Sequence, residues 1–271
     1  MVVTPRTPYA RRPTQHPAGT FTTPYGVVVP GVDRRTMRRL EQAWLAERSG
    51  GAVGLARVAG ERLAAVAVGL GDRGPVRITV VAGGGWNGMA GVQAALAAAA
   101  DGHGATVVQV TGRWGAAQQR ATAALLRGAT VAVAPAGALE AALSEADVVI
   151  DALVGAGLVS RLRPWASEAV QAINRFARRI VSADLPSGLD ADTGAPWGPV
   201  VRPTVTLALG LPRVGLAAAH ADLSTLLLAD LRLPRSALTE VGFPTLDPFV
   251  AGPIVRLRCS AADGGLCRDL G

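Results

Sequence analysis

Three short stretches carry residue types that do chemistry in combination. Gly83-Gly84-Gly85-Trp86-Asn87-Gly88 has the spacing Gly-x-Gly-x-x-Gly, in which glycines let backbone approach closely and the N–H groups opening a helix can meet phosphate. A tight strand-to-helix turn asks for the same glycines on steric grounds alone. Asp147 to Leu158 reads Asp-Val-Val-Ile-Asp-Ala-Leu-Val-Gly-Ala-Gly-Leu. This puts Asp151 at the end of an apolar run, where an acid points into a ligand crevice, coordinates a cation, or caps the next turn. The third stretch, Asp184-Leu185-Pro186-Ser187-Gly188-Leu189-Asp190-Ala191-Asp192-Thr193-Gly194, offers Asp184 as a general acid or base and Ser187 as an oxygen ligand. Asp190, Asp192 and Thr193 read as loop-stabilising groups.

The elements that must position these loops alternate along the chain. Asp33 is a plausible N-cap for a helix whose apolar stripe is Met37, Leu40, Trp44 and Leu45, and a second helix spans about Val53 to Val68. Strands are expected over Val76 to Ala82, Ala105 to Val110, Thr130 to Val133, Val148 to Ile150, Ile180 to Ala183, Val205 to Leu209 and Thr225 to Leu228. Between them lie helices over Met89 to Ala100, Ala116 to Leu126, Leu139 to Leu143 and Trp165 to Phe176. Such alternation builds a mostly parallel sheet covered on both faces, with ligands beyond the carboxyl ends of the strands. The three loops then leave one sheet edge, so Asn87, Asp151, Asp184 and Ser187 could converge.

Composition narrows the chemistry. Hydrophobic residues make up 49% of the 271 positions and aromatic ones only 4%, so the core is built from Ala, Val and Leu. All 27 basic residues are Arg, which excludes a Schiff-base lysine, a lysine general base and a Walker-type phosphate lysine. The formal charge of +7 is scattered along the chain, so nucleic acid is not an expected partner. Apolar runs are too short or too interrupted by charge to span a bilayer. Cys259 and Cys267 form no zinc or disulfide framework, and a reducing cytoplasm is expected. His16, His103 and His220 have no metal-ligand spacing. Val110-Thr111-Gly112-Arg113 lacks the ribose-binding acid of a standard hydride-transferring dehydrogenase. Residues 1–30, with six prolines and no acid, read as a disordered tail, residues 31–245 as one domain, and 246–271 as a C-terminal tail.

Taken together the three stretches resemble the NAD(P)H-hydrate epimerase family, or YjeF N-terminal domain, whose pattern runs Gly-x-Gly-Asn-Asn-Gly-Gly-Asp-Gly, Asp-Ala-Leu-Phe-Gly-x-Gly-Leu, then Asp-x-Pro-Ser-Gly-Leu-Asp-x-x-x-Gly. Order and spacing match from about Val32 to Leu216. The resemblance implies a Rossmann-like three-layer α/β/α sandwich with a mostly parallel central sheet. It implies a homodimer that interconverts the R and S epimers of NADHX and NADPHX, with a potassium ion held by Asn87, Asp151 and Ser187. Substrate would lie along Trp86, Asn87, Gly88, Met89 and Ala90, along Gly155, Ala156, Gly157, Leu158, Val159, Ser160 and Arg161, and at Asp184, which would handle the protons. ATP- or ADP-dependent dehydration, the work of a second domain in some members, is not expected.

The first loop departs from the pattern: Trp86-Asn87-Gly88-Met89-Ala90-Gly91 stands where the family has Asn-Asn-Gly-Gly-Asp-Gly. Trp86 and Met89 could narrow or reshape the cleft. Arg213 stands where the family often has Lys, either as surface charge or as a ligand-binding group. Two other readings follow from these departures: a catalytically inactive binding or dimerisation scaffold, and an enzyme of the same fold acting on another small molecule.

Overall fold

The computed structural model describes residues 19–47, 50–110, 131–134, 136–219, 225–241, 243 and 247–259. The expected helix over Ala116 to Leu126 lies outside them, as do His16, His220 and Cys267. With β1 at Thr20–Thr22, β2 at Val28–Pro30 and β10 at Ile254–Cys259, one ten-stranded sheet runs through the molecule in the order β2-β1-β10-β9-β8-β7-β6-β3-β4-β5. Its parallel part comprises β3 (Arg77–Ala82), β4 (Gly104–Gln109), β5 (Val131–Ala134), β6 (Val148–Ala152), β7 (Ile180–Ala183), β8 (Val205–Leu209) and β9 (Leu226–Ala229).

Alternation along each strand explains the three layers. Ile78, Val80 and Ala82 of β3 and Val148, Ile150 and Ala152 of β6 face one core, shared with α2 (Gly51–Leu70) and α3 (Trp86–Ala100). Val81 and Val149 face the opposite core, under α4 (Leu139–Glu145) and α5 (Pro164–Phe176). The low aromatic content suits this design, because α3 buries alanines and glycines nearly all round and so sits close on the sheet. No helix among the described residues is long and apolar enough to cross a membrane.

Helix α1 (Arg34–Glu47) begins as its sequence predicts: the Thr36 N–H donates to Asp33 Oδ1 at 2.7 Å. Met37, Leu40 and Trp44 are buried, and the Trp44 indole donates to the Leu231 carbonyl at 3.1 Å. Leu45, expected in that stripe, lies outward.

Described parts of both stretches read as tails lie in strands. β1 (Thr20–Thr22) and β2 (Val28–Pro30) form a hairpin, and β10 (Ile254–Cys259) joins β1 to β9, all antiparallel. Phe21, Val29, Val255 and Leu257 bury a third apolar cluster there with Met37 and Leu40. Pairing across more than two hundred residues supplies what local pattern hides, and Pro30 sits on β2, an edge strand that tolerates it.

The chain reverses its direction across the sheet between β3 and β6. From β3 it proceeds outward to β4 and β5, then returns to place β6 on the other side of β3. This is the switch point at which open α/β sheets leave a crevice, and the three motif loops surround it.

Candidate active site

Asn87 stands in the first turn of α3, one residue after the helix opens. The turn before it is compact: a Cβ on Gly83 would strike the Leu153 carbonyl, whose carbon would be 2.8 Å away. The ends of β3 and β6 are therefore in backbone contact. Asn87 is buried and its Nδ2 donates to the Ala183 carbonyl at the end of β7 at 2.8 Å. Its amide also lies over Gly155, where a Cβ would stand 2.5 Å from Asn87 Oδ1. The glycine at 155 therefore has a steric reason.

Asp151 occupies the β6 position paired with Val81 on one side and Ser182 on the other. It is 1% exposed. Its carboxyl accepts from Ser187 Oγ at 2.6 Å, Ser182 Oγ at 2.8 Å, Ser187 N at 3.0 Å and Leu153 N at 3.3 Å. Burial pushes this carboxyl above the ordinary carboxylate range, against the lowering pull of the Ser187 and Ser182 hydrogen bonds. Ser187 is also tied to Val154, whose N–H donates to Ser187 Oγ at 2.9 Å and whose carbonyl lies 3.0 Å from that hydroxyl. Asn87, Asp151 and Ser187 thus meet around the loop that leaves β6.

Asp184 follows β7 in a left-handed conformation with φ of 68°, which an aspartate adopts at a modest cost. The turn aims its buried carboxylate at Arg213. The guanidinium donates through Nε to Oδ2 at 2.9 Å and to Oδ1 at 3.2 Å, and Nη2 lies 2.9 Å from Oδ2. The Leu209 N–H approaches Oδ1 at 3.4 Å. Arg213 is 2% exposed, so of the two readings of this residue the surface charge is excluded. Val32 and Arg213 form a bridge, through Val32 N to Pro212 O at 2.9 Å and Val214 N to Val32 O at 3.1 Å. That bridge sets α1 over the same site.

A cavity of about 440 Å³ opens above these groups. Its wall includes Gly84, Gly85, Trp86 and Asn87 from the first loop, Leu153 to Gly157 from the second, and Asp184 and Arg213. Trp86 borders the cavity and does not fill it; its Nε1 is buried with no hydrogen-bond partner among the described residues. Gly88, Met89, Ala90, Leu158, Val159, Ser160 and Arg161 do not line this cavity. Gly88 packs on the Gly83 carbonyl, Ala90 is buried inside α3, and Val159 is exposed.

Some wall residues lie outside the three loop motifs. Arg34, Met37, Arg38 and Glu41 come from α1 at the spacing of one helix face, and Arg163 and Trp165 from the start of α5. Their signal, polar residues three and four apart, is shared by every solvated helix face. Four arginines and two carboxylates surround the cavity, a balance that favours an anionic ligand. Asp190 acts as a loop clamp: it accepts from Thr193 N at 2.8 Å, Trp197 Nε1 at 2.9 Å and Arg34 Nη2 at 3.0 Å. His103 is structural, its Nδ1 accepting from Val76 N at 3.1 Å.

Residues 52–215 match the family described as YjeF-related protein N-terminus. An NAD(P)H-hydrate epimerase from Dehalogenimonas lykanthroporepellens is 33% identical over 254 residues, covering 89% of this chain and 98% of that protein. The chain belongs to the YjeF-related N-terminal family. A bifunctional NAD(P)H-hydrate repair enzyme Nnr from Hyperthermus butylicus is 35% identical over 172 residues, which cover 61% of this chain and 32% of that longer protein. Among solved structures, the crystal structure of yeast ynu0 shares the fold with a TM-score of 0.73 at 20% identity, covering 84% of this chain and all of that one.

Proposed function

We infer that this member of the family epimerises hydrated nicotinamide dinucleotides, interconverting the R and S forms of NADHX and NADPHX. The observation that carries the reading is an arginine-rich cavity at the sheet's switch point, lined by Asn87 and Asp184, with Asp151 and Ser187 buried beneath the adjoining β6 loop. Family membership and the near full-length match to a protein named for this activity support it.

The chemistry required is modest. The hydroxyl at the hydrated ring carbon must leave and return on the other face, which needs proton transfer to and from oxygen and a countercharge for the cationic ring formed between. The Asp184 end of the cavity supplies a fixed carboxylate for that ring. The diphosphate of the dinucleotide suits the arginine side of the wall and the N–H groups opening α3, where Gly84 and Gly85 lie against the cavity. Trp86 borders the cavity there with an apolar surface.

Asp151, Asn87 and Ser187 would hold a potassium ion, with Asp151 giving up part of its hydrogen bonding to Ser187, Ser182 and Leu153 in exchange. Asp151 is a buried carboxylate with no ion-pair partner within 4.0 Å among the described residues. Asn87 Oδ1, Ser187 Oγ and the Val154 carbonyl add hard oxygen donors of the kind such a cation takes. When bound, the ion would add positive charge beside the substrate's phosphates and neutralise Asp151. This reading also takes the protein as a homodimer, as the resemblance implies, in the reducing cytoplasm that its cysteine content suggests.

The test is to follow purified R-NADHX by chromatography with and without the protein, subtracting the spontaneous rate. Faster appearance of the S form supports the reading, and a rate equal to background rejects it.

A further inference from the structure

Asp184 has a limitation as a proton carrier. Arg213 Nε contacts both of its oxygens, Arg213 Nη2 contacts Oδ2, and Leu209 N approaches Oδ1. The single Nε–H is shared between the two oxygens, so three N–H groups face the carboxylate, and Asp184 is held in a buried ion pair with Arg213. A proton moving onto Asp184 would break that pair and leave the buried guanidinium uncompensated. The hydroxyl exchange therefore calls for a second group that opens onto the cavity and has acceptor positions to spare.

Glu41 meets that description. It lies on α1 one helical turn beyond Met37 and Arg38, all three on the cavity wall. Its side chain is 28% exposed, and Oε1 stands 4.0 Å from Arg213 Nη2, the same nitrogen that contacts Asp184. No hydrogen bond within the standard distance holds this contact. The charged groups around it are Arg38 and Arg34 on its own helix and Arg213, Asp184 and Arg163 across the cavity.

We propose that Glu41 is the proton-donating group of the proposed epimerisation, with Asp184 and Arg213 serving as the fixed charge pair behind it. The inference rests on the epimerase reading of the preceding section. In the forward step the protonated Glu41 carboxyl gives its proton to the departing hydroxyl, and the C6–O bond breaks. Water leaves, and the ring nitrogen's electron pair forms the N1=C6 bond of an iminium cation, which the Asp184 charge stabilises. A water then adds to the opposite face of C6 and loses its proton to solvent, from which Glu41 is reprotonated. One water leaves and one is taken up, so the substrate gains and loses nothing but configuration. The two carboxyl groups thereby have different duties because their surroundings differ. Desolvation on the cavity wall pushes Glu41 up, with Asp184 adding to the rise and Arg213 and Arg38 opposing it, which keeps a donor proton available at higher pH than an exposed glutamate would.

The experiment compares wild type, Glu41→Gln and Glu41→Asp in the epimer assay across pH, with thermal melts of all three. The expected result is a kcat for Glu41→Gln lower by about 100-fold or more, as for loss of a general acid. KM should change by less than about threefold, because Glu41 is not needed for dinucleotide binding. Wild-type kcat should fall as pH rises through the Glu41 titration. That limb should be absent in Glu41→Gln and restored in part by Glu41→Asp, with melting temperatures unchanged. An active wild type with Glu41→Gln inside threefold of it overturns the Glu41 assignment alone. So does a slow Glu41→Gln that keeps the wild-type pH limb, which would mean a positioning role. A wild type no faster than background overturns this inference together with the epimerase reading.

Discussion

Replacing Arg213 by methionine removes the guanidinium and leaves most of the side-chain volume. Arg213 and Asp184 have side chains only 3% and 2% exposed, so Asp184 would then be a buried charge whose nearest remaining donor is the Leu209 N–H at 3.4 Å. Removing one partner of such a pair costs about 3–5 kcal/mol. In a chain of this size each kcal/mol is worth about 2–4 °C of melting temperature, so Arg213→Met should melt about 6–20 °C below wild type. Arg213→Lys keeps the charge and loses the planar fork, and should fall by roughly a third of that. In Arg213→Met/Asp184→Leu neither charge remains, and the double variant should regain at least about half of the single variant's loss. Calorimetric melts of the four proteins at pH 7.5 measure all of this. An Arg213→Met protein melting within about 2 °C of wild type, or a double variant worse than either single one, would refute the buried-pair account.

Further outcomes follow from the same geometry. Gly83→Ala drives a methyl into the Leu153 backbone, which cannot rotate away; the expected cost is about 3 kcal/mol or more, read as a drop in urea midpoint, and a neutral effect would contradict the β3–β6 contact. Potassium at saturating concentration should raise the melting temperature over choline chloride at equal ionic strength, a hundredfold excess over Kd stabilising the fold by about 2.7 kcal/mol. Asp151→Asn should abolish that difference, and an equal rise in both proteins would speak against Asp151 as a ligand. Acid should destabilise the fold through Asp147, which hydrogen bonds from Arg77 lower from 3.8 to about 2, and through Asp190. Asp190 is lowered too, the hydrogen bonds from Trp197 and Thr193 outweighing its burial. Depressed carboxyls lend stability above their unfolded value and lose it as pH falls through the folded one. Urea midpoints should thus decline from about pH 4 downward, less steeply in Asp147→Asn; identical slopes would remove Asp147 from the account.

Much of this arrangement is legible before any coordinates. A parallel sheet sends the carboxyl ends of its strands to one edge, so three motifs that each follow a strand had to emerge together. Asn87, Asp151, Asp184 and Ser187 do so around the β6 loop. The hidden parts are hidden for physical reasons. Thr20–Thr22 and Ile254–Cys259 are strands only because they pair with each other and with β9, and nothing local in a proline-punctuated segment announces a distant partner. Arg34, Arg38 and Glu41 carry the composition of any exposed helix face, and it is the bridge from Val32 to Arg213 that turns them over the cavity. Arg213 itself reads equally as surface or site until its neighbours are known. Trp86, which in sequence could have blocked the cleft, stands at its edge and leaves about 440 Å³ open.

The most direct test of the central claim is the rate at which the purified protein converts R-NADHX to the S epimer, measured beside an Asp184→Ala variant whose fold is checked by its circular dichroism. The account predicts a rate well above the spontaneous one for the wild type, and a rate at or near background for the variant. A folded wild-type protein that leaves the spontaneous rate unchanged would contradict the account and leave a binding scaffold or a different small-molecule substrate in its place.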